Sequence, residues 1–371
     1  MARSLTALAL AACCCAARAG IQVEPFGTLS TGAAVQKVTL ENDRGMRLAY
    51  IDYGATITGV MVPGRDGRMA NVMLSLPTMK AYETTKRRHG AVIGRFAGRI
   101  AHARYVLDGR TVQLVPSGRG MSVHGGPDGF DKRVWQRRDF ADGESLGSVF
   151  KLVSADGDQG FPGRLEVQVT YRLLRASNEL RIEYEAATSA PTVVNLTNHG
   201  FFNLAGAGTR ALGTHSFQIA ASRHVVTDAA RIPTGELADV TGTALDFRRP
   251  VGIMERLAAR SPILGDPAWF DHGLVFDKPY GELALVTTVA DSASGRRMEV
   301  FTTEPSVLFN SGNGFDGSEI GSEGIAYQRH DGFALETQHL ADSPNHPHFP
   351  STVLRPGQPF RSVTAFRFSQ H

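Results

Sequence analysis

An all-β fold, organised as one large antiparallel β-sandwich, is what this sequence predicts, and three observations predict it. Several stretches alternate apolar and polar residues with period two, the spacing of a strand with one covered face. Turn signals recur between those stretches, in a chain with 40 glycines and 18 prolines. Helical periodicity is scarce; the best candidate is the short run Val251 to Ala259.

In chain order, Val38-Thr39-Leu40-Glu41 is the first candidate strand, followed by turn signals at Gly64-Arg65-Asp66-Gly67 and Asp108-Gly109. Val149 to Val153 is the next candidate, closed by Asp156-Gly157. Leu165 to Tyr171 and Leu180 to Glu185 alternate cleanly. Ser294-Gly295 marks a later turn and Ser362 to Phe368 a last strand. No linker, low-complexity tract or repeat divides residues 20–371, so one domain is the economical reading. Two smaller β domains are the alternative, because periodicity does not assign strands to sheets.

A chain of 371 residues is long enough to bury a large core. Its 42% hydrophobic and 20% charged residues are those of a globular protein. The net charge, 39 minus 36 or +3, is too balanced to point to nucleic acid or an anionic membrane as partner. Residues 1–19 read as a signal peptide: Arg3, the apolar run Leu5 to Ala17, and Ala17-Arg18-Ala19 before Gly20. That run is too short for a membrane span, so the expectation is export to a bacterial periplasm. Leu10-Ala11-Ala12-Cys13 overlaps it as a lipoprotein box, making a lipid anchor at Cys13 the alternative. All three cysteines lie at positions 13 to 15. Cleavage after Ala19 therefore leaves no thiol for catalysis or zinc binding. The mature charge becomes 37 minus 36, or +1, since Arg3 and Arg18 leave. Monomer and homodimer are equally compatible with the pattern.

Two dense segments carry the candidate chemistry, Asn195 to Gly206 and Gly332 to His339. If Phe333 to Gln338 is a strand, Phe333, Leu335 and Thr337 share one face while Ala334, Glu336 and Gln338 share the other. In an extended segment Asn195, Thr197 and His199 point one way. His124 precedes Gly125-Gly126-Pro127, glycines that allow a sharp turn and close approach to a ligand. Arg99, in Gly94 to Ile100, has a guanidinium that can fork onto two ligand oxygens. Asp271, in Trp269-Phe270-Asp271-His272, can accept from hydroxyls beside an aromatic face. Taken singly, each reads as readily as a solvated carboxylate, a hydrogen-bonded histidine, a turn or a surface charge.

Other patterns are set aside. Asp156-Gly157-Asp158-Gln159-Gly160 lacks the third carboxyl-type ligand and distal Glu of a calcium loop. His339, His346 and His348 are interrupted by Pro344 and Pro347, with no carboxylate or thiolate set to complete a metal site. There is no dinucleotide, P-loop or nucleophile-elbow motif. No cofactor and no metal are expected.

Read together, the segments resemble the aldose 1-epimerase (galactose mutarotase) family. Gly94 to Gly109, Val123 to Trp135, Asp158 to Gly163, Asn195 to Gly206, Ile232 to Gly235, Asp271-His272, Thr302 to Pro305, Glu336 to His339 and Phe349 to Gly357 follow in family order. The resemblance implies a galactose mutarotase-like supersandwich acting on a free aldose of glucose or galactose type, without cofactor. It implies Glu336 as general base, His199 as general acid, and Arg99, His124 and Asp271 as substrate-binding residues. Ordinary side-chain pKa values would then have Glu336 ionised and His199 protonated near neutral pH.

The chain departs from the family pattern at Gly98, often Asn; at Leu308, Gln in some members; at Asn310, a Tyr position; and at Phe270, frequently Tyr. Each change removes or moves a hydrogen-bonding group, so the expectation is an intact catalytic pair with an altered sugar preference. Competing readings are a non-catalytic carbohydrate-binding sandwich, which needs no acid–base pair, and a glycoside hydrolase, which needs two facing carboxyl groups. An epimerase for a different sugar, including a sugar phosphate, is a third.

Overall fold

The segments of cleanest alternation become two of the longer strands. In the computed structural model, which describes residues 20–210 and 212–371, Leu165–Leu174 and Glu179–Thr188 are ten-residue antiparallel partners. The signal-peptide and Cys13 readings lie outside the described residues. Strands Ala34–Glu41, Ser145–Ser154 and Phe360–Gln370 contain the other expected segments.

Three sheets organise the chain. The first five strands, Gly20–Thr28 to Met69–Asn71, form a meander in sequence order. A nine-stranded sheet is centred on Glu179–Thr188, Phe360–Gln370 and Arg296–Thr302. A six-stranded sheet has the order Phe201–Phe202, Phe333–Gln338, Ser306–Asn310, Asp271–Phe276, Ala221–Thr227, Pro233–Asp239.

Packing between the two large sheets fixes which way Glu336 points. Phe333 lies 4.8 Å edge-on from Phe217, and Phe202 lies 5.3 Å from Phe366, both across the sheet interface. Thr337 Oγ1 meets Thr364 Oγ1 at 2.7 Å. Phe333, Leu335 and Thr337 therefore face the nine-stranded sheet. Burying a single large apolar side chain of this kind contributes about 1.5–3 kcal/mol, so a register slip would forfeit several such terms. Ala334, Glu336 and Gln338 consequently project from the opposite face, where loops cover them; all three are buried.

The helical expectation at 251–259 resolves into a short strand, Val251–Gly252, and one helix, Ile253–Ala258. A second short helix, Met79–Thr84, was not anticipated; its start is fixed by Thr78 Oγ1, which accepts from the backbone N–H of Ala81 at 3.2 Å.

Candidate active site

Glu336 sits mid-strand on the outer face of the six-stranded sheet, 1% exposed. Leu308 is its partner in register on the neighbouring strand, and Asn310 pairs in the same way with Ala334. His199 follows the short strand Thr197–Asn198, which pairs with Val92–Ile93. Its backbone is pinned on both sides: its N–H donates to Ala91 O and its carbonyl accepts from Gly90 N–H, both at 2.9 Å. The ring rests against Phe201, 5.1 Å away, and brings Nε2 to 3.5 Å from Glu336 Oε1. Behind that contact, His199 Nδ1 and Glu336 Oε2 are both buried without a hydrogen-bond partner.

His124 enters edge-on to His199, ring centroids 5.3 Å apart. Its loop passes so close to Gly94 that a Cβ on Gly125 (φ +86°) would lie 1.9 Å from the Gly94 carbonyl oxygen, so only glycine fits there. The backbone N–H of Gly98 donates to His124 Nδ1 at 3.2 Å. A neutral ring accepting at Nδ1 carries its proton on Nε2, so this nitrogen is a donor. Arg99 Nη2 meets Asp271 Oδ2 at 2.8 Å, and Asn310 Nδ2 donates to Asp271 Oδ1 at 3.2 Å. The structure thus brings Glu336, His199 and His124 into one cluster and joins Arg99 and Asp271 to each other beside it.

Burial sets the proton affinities. Burial, reinforced by the nearby Asp271 charge, pushes the Glu336 carboxyl up to about 8 against the opposing pull of Arg99 and Arg88. Burial, then the Arg88 charge, pushes His199 down to about 3 and His124 well below the usual imidazole range. Burial alone would raise Asp271, but the charge and hydrogen bond of Arg99 and the Asn310 amide outweigh it and hold that carboxyl low. This corrects the expected protonation. Near neutral pH the pair holds one proton, as anticipated, but the fold places it on Glu336 and leaves His199 neutral.

His124, His199 and Glu336 offer atoms within 4.8 Å of one another, close enough to bracket a metal ion. The donor chemistry suits proton transfer better: metal binding through His124 Nε2 would need a tautomer change at the cost of the Gly98 bond, and Glu336 would have to lose a proton its surroundings favour.

Two cations near the cluster escaped the sequence reading. Arg88 sits just before the Gly90–Ala91 stretch that pins His199, and its Nε approaches Asp131 Oδ2 at 3.5 Å. Arg231 lies over the Trp269 ring, 5.0 Å from its centroid. In sequence, Lys86-Arg87-Arg88 looks like a solvated charge run, and only its position against His199 distinguishes it.

The other candidate positions separate. Phe270 is fully buried in the core, stacked 5.0 Å from Phe309, so its departure from the family pattern is a packing change and supplies no face to a ligand. Gly98, at φ +84°, is tight against Ala341 and Gln338: an added Cβ would lie 3.0 Å from Ala341 Cβ and 3.1 Å from Gln338 Nε2. The set-aside histidines diverge: His339 Nδ1 is 2.7 Å from Glu304 Oε2, while His346 and His348 contact the carbonyls of Pro233 and Gly235. Asp158 is bonded to Ser154 and Arg133.

Comparison with known proteins gives the chain's family and fold. The family profile described as aldose 1-epimerase matches residues 36–367. The galactose mutarotase of Bos taurus is 41% identical over 345 residues, covering 93% of this chain and 97% of its own. The aldose 1-epimerase of Escherichia coli K12 is 37% identical over 343 residues, 91% of this chain and 96% of its own. Among solved structures, galactose 1-epimerase from Lactobacillus acidophilus superposes with a TM-score of 0.83 at 26% identity, covering 95% of this chain and 99% of that one. With the fold, the ordered motifs and the full-length similarity in agreement, the chain belongs to the aldose 1-epimerase family.

Proposed function

We propose that the protein interconverts the α and β anomers of free aldoses of glucose and galactose type, with Glu336 as general base and His199 as general acid. The observation that carries this reading is the 3.5 Å approach of His199 Nε2 to Glu336 Oε1, with His199 Nδ1 and Glu336 Oε2 left buried and unpartnered behind it. A binding module has no use for such a pair; ring opening does.

In the opening step Glu336 takes the proton of the anomeric hydroxyl while His199 delivers one to the ring oxygen. The C1–O5 electron pair leaves with O5 and the C1 carbonyl forms. Rotation about C1–C2 presents the other face, and the reverse transfers close the ring. Each correctly placed acid or base contributes roughly 10²–10⁴-fold. Opening moves the pair's proton from His199 to Glu336, the arrangement that burial favours. The surroundings therefore favour the open-chain intermediate. The cyclic sugar is engaged with the proton on His199, reached across the same short contact. Sugar hydroxyls donating to the carboxylate lower its proton affinity and help that transfer. His124 Nε2–H, Arg99 and Asp271 are assigned to substrate hydroxyls.

Polarimetry on freshly dissolved α-D-glucose and α-D-galactose, comparing wild type with Glu336→Gln, tests the reading. Accelerated equilibration that the variant loses supports it; no acceleration on either sugar sinks it. We further propose export, with residues 1–19 removed. Mass spectrometry of the mature N-terminus distinguishes a chain starting at Gly20 from one lipidated at Cys13.

A further inference from the structure

Arg88 is poorly matched for a guanidinium in this setting. Its side chain is 20% exposed, and among the described residues its one ion pair is with Asp131, 3.5 Å from Nε, while its charge also acts on the Glu336 carboxyl. Nε is buried without a hydrogen-bond acceptor, and among the described residues the two terminal nitrogens have none either. The residue is held in the left-handed region, at φ +55°, a conformation that costs an L-residue energy and is kept where surroundings demand it. Its position is fixed by both catalytic segments: Ala91 N–H bonds back to Arg88 O and Gly90 N–H to His199 O, while Asp131 follows the His124 loop.

At the Asp271 side a second cation, Arg231, lies over the Trp269 ring and feels the Asp271 charge, but among the described residues it makes no ion pair. Asp271 N–H donates to His272 Nδ1, so a neutral His272 carries its proton on Nε2, which meets Ile263 O at 3.1 Å. Arg231 Nη1, 3.4 Å from that same Nε2, therefore faces a donor and gains no acceptor. Of the arginines around the cluster, Arg99 makes a shorter carboxylate contact, 2.8 Å to Asp271, than Arg88 does, 3.5 Å to Asp131.

Resting on the mutarotase reading, we infer that Arg88 is a substrate-binding residue that receives the carboxylate of an acidic aldose, a hexuronic acid. A planar carboxylate fits the terminal nitrogens of a guanidinium in a two-bonded fork. Neutral hydroxyls would leave the terminal nitrogens of Arg88 without a charged acceptor as the substrate excludes water. The substrate class is then an aldose oxidised at its terminal carbon, opened and reclosed by the same acid–base pair.

The test is polarimetry on freshly dissolved α-D-galacturonic acid and α-D-galactose, with galactose 6-phosphate as a third substrate, using wild type, Arg88→Gln, Arg88→Lys and Arg231→Gln. Wild type should process the uronate with a kcat/KM at least equal to that for galactose. In Arg88→Gln the uronate-to-galactose ratio should fall at least tenfold or so, through KM, as expected when one partner of a buried charge pair is removed. Arg88→Lys, which keeps the charge and loses the fork, should fall between. The inference is overturned if galactose is accelerated and the uronate is not, if Arg88→Gln leaves the ratio unchanged, if Arg231→Gln alone loses the uronate, or if the 6-phosphate is the better substrate. Failure with every sugar would overturn the mutarotase reading itself. Thermal melts of the variants separate a binding loss from a folding loss.

Discussion

The backbone N–H of Gly98 donates to Nδ1 of His124 at 3.2 Å, so the residue before Arg99 decides which nitrogen of His124 carries the proton. A backbone donor cannot be removed by a side-chain change, but it can be displaced. Gly98 has φ +84°, and an added Cβ would crowd Ala341 and Gln338. Gly98→Ala is expected to destabilise the fold by about 1–2 kcal/mol and to lower kcat/KM, whereas Gly98→Asn, which tolerates positive φ better, should cost less. Melting curves and polarimetry on the two variants check the order.

The pH profile should betray the buried pair. Between about 3 and about 8 the two groups hold one proton, the number the reaction needs. Above the Glu336 value the pair loses its acid; below the His199 value it loses its base. The free-enzyme profile of kcat/KM should therefore stay flat well below pH 6 and decline only above about pH 8. A decline beginning near pH 6.5 on the acid side would show that His199 titrates as an ordinary imidazole.

Stability should carry the same signature. Glu336 is raised from 4.5 to about 8 by folding, so its contribution is complete at acid pH and lost as pH rises through the folded value. Glu336→Gln cannot ionise. Its Tm should match wild type near pH 4 and exceed it by roughly 3 °C or more at pH 9, with mutarotation abolished. Calorimetry at the two pH values decides.

Arg99 and Asp271 should behave as one unit. With a 2.8 Å contact between them, removing either leaves the other's charge without its partner. Arg99→Met and Asp271→Asn should each lower kcat/KM, and the double variant should fall short of the summed effects by about 1–2 kcal/mol. Full additivity would mean that the two contact substrate independently.

Leu308 is the sharpest test of sugar preference. It stands opposite Glu336 in strand register, where cross-strand Cβ atoms lie about 5 Å apart. Leu308→Gln places an amide beside the base and should change the ratio of kcat/KM between galactose and a deoxy sugar by roughly tenfold. The same change should lower the upper pH limit, because the amide can donate to the carboxylate.

Strand Phe333–Gln338 was legible in full, because period two assigns each side chain a face whatever sheet the strand joins. Local wording singled out His199, Glu336, His124, Arg99 and Asp271, and the structure gathers the first three into one cluster and pairs the other two. Their protonation was not legible, because burial is a property of the loops that close over the strand, and some of those, such as the His124 loop, lie far away in sequence. Phe270 misled for a related reason: sequence places it beside Asp271, and the pleat turns it into the core. Arg88 was hidden because a run of three cations looks the same whether or not one of them turns inward.

The alternation along Phe333–Gln338 separates two kinds of hereditary constraint within six residues. Every second position answers to the opposing sheet, and on the proposed function the intervening ones answer to the sugar. On that reading, substitutions at Leu308, Asn310 or Ala334 can reshape the pocket while the aromatic seam beneath stays untouched.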